Sequence, residues 1–545
     1  MGTLETLTIT KMLQNSFTNF AAHPSLVFVG EENRTYAQLE KEVKKAALQL
    51  QQIGIRKGDK VAILSLNMPQ WAVAFFGALV NGAVVVPILP DFTAIEIKNI
   101  LDHAEVKVIY VSESLRAKLN SDPGQTIISI EDFKVISGTV EVDYDKMDES
   151  AFVYENIDEQ DLATIIYTSG TTGKSKGVML SHKNIVWTAQ QSWYIQNIGP
   201  GDRFLSVLPL SHTFENTLVL IFPLMFGSSV HYLQKPPVAS VLLSALKQVR
   251  PTIMLLVPLI IEKIYKSKIL PEINRKFVTR TLYKVPPFRK LLNRVAGQKL
   301  YETFGGQLRF FGIGGAKLDD NVERFLMEGN FPLAIGYGMT ESAPLLAGAG
   351  VGKTKFLSTG PAMPGVKLRI ADADNKTGLG EIQALGENVM LGYYKEPGLT
   401  KQVFTPDHWL KTGDLGYFDK QGNLYIKGRL KNMILGASGE NIYPEEIESV
   451  INRMEYVVES LVVEQKGRLV ALVHLNMEEL EKKYQNMKTE AVSYLNDKID
   501  EVLQDIQNKV NEELNKFSKI QRIVLQRDPF EKTPTQKIKR FLYYA

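Results

Sequence analysis

Strand-like and helix-like segments alternate through most of this chain, and that alternation constrains its fold more than any other feature. Residues 61–66, 84–89, 106–111 and 162–167 are short, apolar and rich in β-branched side chains. Helical patterns lie between several of them, as at 94–103. Parallel strands need a crossover of a dozen or more residues, usually a helix. The pattern predicts an α/β fold of layered, largely parallel sheets. From about 366 to 427 the strand-like pieces shorten and the turns become glycine-rich, as at 376–380 and 419–422. This predicts a β-rich subdomain. After Arg429 a third unit follows, with a helix near 447–454, strands near 460–464 and 469–475, and a long charged helical stretch from 477 to 517.

With 545 residues, 44% of them apolar and 23% charged, the chain has ample material for a large core. A net charge of +3 is too small to suggest a nucleic-acid binder. There are no cysteines, which excludes disulfides, thiolate metal sites and a cysteine nucleophile. Any thioester made here takes its thiol from another molecule. The first 20 residues lack the basic-then-apolar order of a secretory signal. Residues 61–90 carry no charged side chain, a length that could span a bilayer. Pro69, Asn81-Gly82 and the run at 84–86 divide it into a buried helix and a buried strand. The expected location is therefore cytoplasmic, with no transmembrane segment.

The richest local signal follows the apolar run at 162–167. Thr168, Ser169, Gly170, Thr171, Thr172, Gly173 and Lys174 form a loop of small hydroxyl residues, glycines and a lysine, with Lys176 just beyond. Glycine lets successive N–H groups point inward into an anion-binding concavity. Hydroxyls and ammonium groups add donors and charge, so the expected guest is a polyphosphate. The stretch approaches a Walker A loop but has two residues between its glycines where that motif needs four. Gly173 to Gly177 also matches the spacing of a hydrolase nucleophile elbow. Here, however, the serine lies between two lysines and well past the strand end.

Four further motifs follow. Gly336, Tyr337 and Gly338 lead into Thr340 and Glu341. A tyrosine between glycines can lie flat against a base, and Glu341 is a hard oxygen ligand suited to Mg2+. Asp414 follows Thr412-Gly413 and can accept hydrogen bonds from hydroxyls. Arg429 and Lys431 precede a helix start at Pro444. Lys537 lies in a basic segment, 532–540, outside any apolar pattern.

In this order the motifs resemble the adenylate-forming superfamily, which includes acyl-CoA synthetases, luciferases and peptide-synthetase adenylation domains. The resemblance extends from Thr35 to Arg540. Pro209 to Glu215, Arg250 to Pro258 and Phe304 to Ala316 make the chain most similar to long-chain fatty acyl-CoA synthetases. It implies a large N-terminal domain (1–429), a hinge at 430–432 and a small, mobile α+β C-terminal domain (433–545). It also implies an ATP-dependent, AMP-forming ligase of a medium- to long-chain fatty acid, with Mg2+ as cofactor and ATP and CoA as cosubstrates.

The resemblance assigns Thr168 to Lys174 to the ATP phosphates, Gly315 and Ala316 to the nucleotide border, and Tyr337 to adenine. It assigns Thr340 to the α-phosphate, Glu341 to magnesium, and Asp414 and Arg429 to the ribose. His212 falls near the acyl carboxylate, Lys431 at the hinge and Gly439 on the pantetheine path. Lys537 becomes the catalytic lysine of the first half-reaction. The chain departs from the family pattern at Gln536, Gly428 and Leu259, where glycine, aspartate and arginine are common. Two alternatives remain open at this level: a ligase that loads an acyl carrier protein, and a non-catalytic ATP- and acyl-binding protein. Residues 262–300 hold eleven Lys/Arg against two Glu. This is either a solvated helical face or a surface for peripheral contact with an anionic membrane.

Overall fold

The computed structural model describes residues 4–119, 125–138, 140, 142–168, 175–436, 440–484, 492–533 and 537–544. It has the expected layered α/β architecture. Two large sheets form the body. One has the strand order 392–393, 176–181, 162–168, 84–88, 60–64, 106–111, 126–129, 135–137. Its central strands are parallel, with Lys60 to Leu64 opposite Val84 to Ile88. The other has the order 26–28, 229–232, 203–206, 253–256, 310–313, 333–338, 345–348, and is parallel up to its final strand.

Local chemistry sets the element ends. Thr35 and Gln38 form a reciprocal capping box at the start of the helix Tyr36–Ile53. Thr93 with Glu96, and Ser181 with Asn184, do the same for Ala94–Ala104 and His182–Ser192. Pro69 opens the helix Pro69–Val80 at a position where its missing N–H costs nothing. This helix is apolar all round because it is buried all round, and the strand Val84–Ile88 follows it into the core. No helix among the described residues is long and apolar enough to cross a membrane.

Residues 367–429 form a four-stranded antiparallel sheet, in the order 367–371, 380–385, 410–418, 424–429. Farther on, strands Val457–Gln465, Arg468–Leu475 and Arg522–Leu525 make a three-stranded sheet. It shares a separate core with the helices Pro444–Ile451 and Val492–Glu513 through Ile447, Ile451, Leu503 and Ile506. The single helical stretch expected over 477–517 is instead two helices, Met477–Tyr484 and Val492–Glu513. Two short π-helical segments, Asn216–Ile221 and Tyr265–Ile269, have no counterpart in the sequence reading. A π turn differs from an α turn only in its hydrogen-bond offset, and side-chain periodicity over five or six residues does not separate the two.

The helices Tyr36–Ile53 and Pro69–Val80 pack closely because Gly77 carries no side chain. A Cβ there would lie 2.7 Å from Ala46 Cβ and 3.2 Å from the Ala47 nitrogen. Gly77→Leu should therefore cost about 1–3 kcal/mol through overpacking. Differential scanning calorimetry should show a lower melting temperature for this variant, whereas an unchanged melt would mean that the helices can separate freely.

Candidate active site

The four-stranded antiparallel sheet places Asp414 opposite Arg429 in register. The Arg429 Nε lies 2.7 Å from Asp414 Oδ1, and the Tyr337 hydroxyl donates to Asp414 Oδ2 at 2.6 Å. Asp414 and Tyr337 are buried, and Arg429 is half-buried. Tyr337 comes from the strand Leu333–Gly338 of the seven-stranded sheet, so one carboxylate ties two sheets together. Burial, followed by the Asp414 charge, pushes the Tyr337 phenol well above its ordinary value and keeps it a neutral donor. A carboxylate has about four lone-pair positions. Asp414 therefore retains acceptor capacity for a hydroxylated ligand after binding both partners.

Gly338 ends that strand. A Cβ there would collide with the Pro344 carbonyl, so only glycine lets residues 340–342 turn back as they do. Thr340 and Glu341 lie in this 3-10 turn. The Tyr393 hydroxyl donates to Glu341 Oε1 at 2.8 Å, and the Lys176 ammonium stands 5.2 Å from the Tyr393 ring centroid. Tyr393 was not singled out from the sequence. Its role comes from pairing with Val178 across the eight-stranded sheet, a contact between residues over 200 positions apart.

His212 caps a short helical turn, and its Nδ1 accepts from the Phe214 N–H at 3.2 Å. The ring proton therefore resides on Nε2. Burial, then the Lys537 charge, pushes the His212 imidazole down to about 4. It is neutral at pH 7.

Lys537 arrives from the far end of the chain. The Thr533 N–H donates to the Lys537 carbonyl at 2.8 Å, and Lys532 pairs with Ile538 across the same small hairpin. Arg540 fastens the hairpin to Glu448 on the helix Pro444–Ile451, and Lys532 is bound to Glu459 at 2.7 Å. Solvent reaches more than a third of the Lys537 side chain, but the cleft around it still disfavours charge. Desolvation and Arg429 lower the Lys537 ammonium, while Asp414 and Glu341 partly offset this. Lys431, in the 3-10 turn Leu430–Asn432, is pushed down to about 8 by burial, Arg429 and Lys537. Two carboxylates thus face the cations Arg429, Lys431 and Lys537, and the cluster has room for added negative charge.

The other residues singled out from the sequence divide into two groups. Thr168 ends the strand Leu162–Thr168, directly opposite Lys176 in register. Gly315 and Ala316 follow the strand Phe310–Ile313 and are exposed, and Gly336 lies within Leu333–Gly338. Ser169, Gly170, Thr171, Thr172, Gly173, Lys174 and Gly439 lie outside the described residues.

Beside Gly336 is an apolar cavity of about 60 Å3, lined by Phe214, Leu218, Phe222, Leu255, Ala334 and Leu345, among others. The π-helical segment Asn216–Ile221 contributes Leu218. Two apolar runs of the sequence, 221–226 and 255–261, lie in this part of the fold. Phe222 and Leu255 do line the cavity, whereas Ile221, Leu224 and Ile261 pack into the core.

The sequence pattern of the AMP-binding enzyme family matches residues 13–394. The chain belongs to that family. It is 30% identical over 497 residues to the long-chain-fatty-acid–CoA ligase heimdall of Drosophila melanogaster, covering 82% of this chain and 72% of the relative. It is 28% identical over 548 residues to the long-chain-fatty-acid–CoA ligase FadD15 of Mycobacterium bovis, covering 93% of this chain and 89% of that one. The fold matches that of the o-succinylbenzoate coenzyme A synthetase MenE of Bacillus subtilis in complex with AMP. That match has a TM-score of 0.77 at 23% identity and covers 98% of both chains.

Close to His212, Glu215 is fully buried. Its Oε1 accepts from the Ser206 hydroxyl at 2.6 Å and the Val207 N–H at 3.1 Å. Burial outweighs these bonds and pushes the Glu215 carboxyl up to about 8. A raised folded-state value means that the native protein holds a proton the unfolded chain has lost. The resulting stability is complete below pH ~4.5 and disappears as pH rises through about 8. Glu215→Gln keeps the neutral shape. It should match wild type at pH 5 and exceed it at pH 8.5 by on the order of a few kcal/mol. Urea unfolding at the two pH values measures the difference. A constant difference across that range would show that Glu215 does not hold the proton.

Proposed function

We propose that this AMP-binding enzyme is an ATP-dependent fatty acid–CoA ligase acting on medium- to long-chain acids. The observation that supports this reading best is the convergence of Lys537 on Asp414, Glu341 and Arg429. Lys537 also acts on His212, and an apolar cavity opens beside Gly336. The similarity to two long-chain ligases supports the substrate class.

In the first half-reaction a fatty carboxylate oxygen bonds to the α-phosphorus of ATP. The bond from that phosphorus to the bridging oxygen breaks, and pyrophosphate leaves with the electron pair. The protein supplies no covalent group, so its work is positioning and charge neutralisation. Asp414 and Arg429 hold the ribose, and Tyr337 presents its ring to adenine. Residues 168–174 and Lys537 balance the phosphate charge, with Thr340 at the α-phosphate. Neutral His212, a donor through Nε2, orients the acyl carboxylate.

Among the described residues no cluster of three or more His, Asp or Glu is placed to hold a metal. Glu341 nonetheless fits Mg2+ carried in by the nucleotide, since Tyr393 occupies only Oε1 and Mg2+ commonly takes one or two carboxylates plus phosphates and water. Bound there, it would spread the charge of the phosphates.

In the second half-reaction the CoA thiolate attacks the acyl carbonyl carbon, the acyl–phosphate bond breaks and AMP leaves. The pantetheine arm passes Gly439. Lys537 then has to withdraw, and we assign the pivot to residues 430–432. Among the described residues, four polar contacts hold the present arrangement. Lys266 Nζ donates to the Asn452 carbonyl at 2.7 Å, and Lys427 pairs with Glu446 at 2.7 Å. Arg453 lies 3.8 Å from Asp320, and Asn432 donates to Glu445 at 2.6 Å. These contacts are few, polar and only partly buried, which suits an interface that opens.

Two experiments test the reading. Lys537→Ala should lower pyrophosphate release from acid plus ATP by roughly 10²- to 10³-fold. It should leave thioester formation from preformed acyl-adenylate near wild type, and equal loss in both steps would remove Lys537 from its role. Separately, pyrophosphate release should be measured over short- to long-chain acids with CoA, an acyl carrier protein or neither. Medium or long acids with CoA should give the highest kcat/KM. Preference for the carrier protein, or nucleotide binding without release, would replace the reading.

A further inference from the structure

The chain leaves the cavity wall at the strand Ile253–Leu256 and rejoins it at the neighbouring strand Phe310–Ile313. Between the two it runs through a set of short helices, ending in Phe277–Leu282 and Pro286–Thr303. The inner face of Pro286–Thr303 is fixed. Asn293, Gly297 and Leu300 are buried, Asn293 and Arg289 bind Glu328, and Gly297 lies against Gly329. Positions 288, 291 and 295 therefore face outward, and they hold Phe288, Leu291 and Val295. The preceding helix adds Phe277, 73% exposed, and Val278, 64% exposed. A helix whose buried face includes an asparagine while its apolar stripe meets solvent reverses the usual arrangement.

The charges on this face have one sign. Residues 275–295 contain no Asp or Glu. Lys276, Lys284, Lys290 and Arg294 are exposed, and among the described residues none has a carboxylate partner. Arg280 lies over the Phe277 ring at 5.6 Å, so cation and apolar side chain form one unit. A solvated face would explain the lysines but not the stripe, and a buried protein contact would explain the stripe but not the uncompensated cations. Bulky apolar side chains among cations match a surface with an apolar interior beneath an anionic rim. The helices are too short and too polar to span that interior.

We propose that residues 275–295 seat the protein on an anionic lipid bilayer. Phe277, Phe288, Leu291 and Val295 enter the headgroup–acyl boundary, and Lys276, Arg280, Lys284, Lys290 and Arg294 meet the lipid phosphates. This goes beyond the ligase reading and does not depend on it, because docking needs no turnover. If both hold, the membrane-facing segment belongs to the connection between two strands that border the acyl cavity.

Flotation of the full chain with vesicles tests the docking. Vesicles of phosphatidylcholine mixed with phosphatidylglycerol should carry the protein, and phosphatidylcholine alone should not. Binding should weaken as salt rises. Lys276→Glu, Lys284→Glu and Lys290→Glu together should reduce binding roughly a hundredfold or more at low salt. The control Lys353→Glu, Lys401→Glu and Lys420→Glu has the same net charge and should bind as wild type. Phe277→Ser with Leu291→Ser should abolish whatever binding survives at high salt. Because these side chains are exposed, unchanged melting of each variant checks the fold. Leu291→Trp should show blue-shifted emission on anionic vesicles. Three results would overturn the proposal: equal loss in the control, equal binding to neutral vesicles, or self-association that disappears in the Phe277/Leu291 variant. The last would make the stripe a contact between copies.

Discussion

The Asp414 carboxylate, clamped between the Tyr337 hydroxyl and the Arg429 guanidinium, organises this molecule. It joins the last parallel strand of the large sheet to the antiparallel sheet of residues 367–429. Arg429 is the last residue before the turn that leads to the C-terminal sheet. Three parts of the fold therefore take their bearings from one buried anion. Removing it would leave a half-buried cation and a buried hydroxyl without this partner, which is more costly than losing the bonds alone.

Around this anchor the charges do not balance within the protein. Lys537 and Lys431 both hold their protons less readily than free lysines, first because burial disfavours their charge and then because neighbouring cations, Arg429 foremost, repel it. An incoming polyphosphate would relieve that repulsion and restore full protonation to both. The site is thus electrostatically incomplete alone and selects for a guest of opposite sign. The imidazole of His212 stays neutral beside this field, because a charged ring would be poorly solvated where it is buried.

Much of the fold was legible in the sequence because its signals are local. Residues 84–88 and 106–111 read as strands since, Lys107 apart, they are short apolar runs rich in β-branched side chains. The helix Ala94–Ala104 announces itself through the Thr93–Glu96 box. At the site, Tyr337, Glu341, Asp414 and Lys537 were singled out from short motifs, and His212 through family resemblance alone. The Tyr393–Glu341 bond, the Glu215 proton and most of the cavity lining escaped, as each depends on residues that only the tertiary fold brings together. The outward stripe escaped for another reason. Phe288, Leu291 and Val295 have a normal helical spacing, and only the packing of Asn293 and Gly297 shows which side faces solvent.

The Arg540–Glu448 pair has a practical corollary. It makes the Lys537 hairpin and the helix Pro444–Ile451 a single solid piece, so the helix travels wherever the lysine travels. A spectroscopic label on the outer side of that helix would report the lysine's position without touching it. The chain offers no thiol of its own to compete. Two engineered cysteines, one on this helix and one on the body, would turn the molecule into its own ruler.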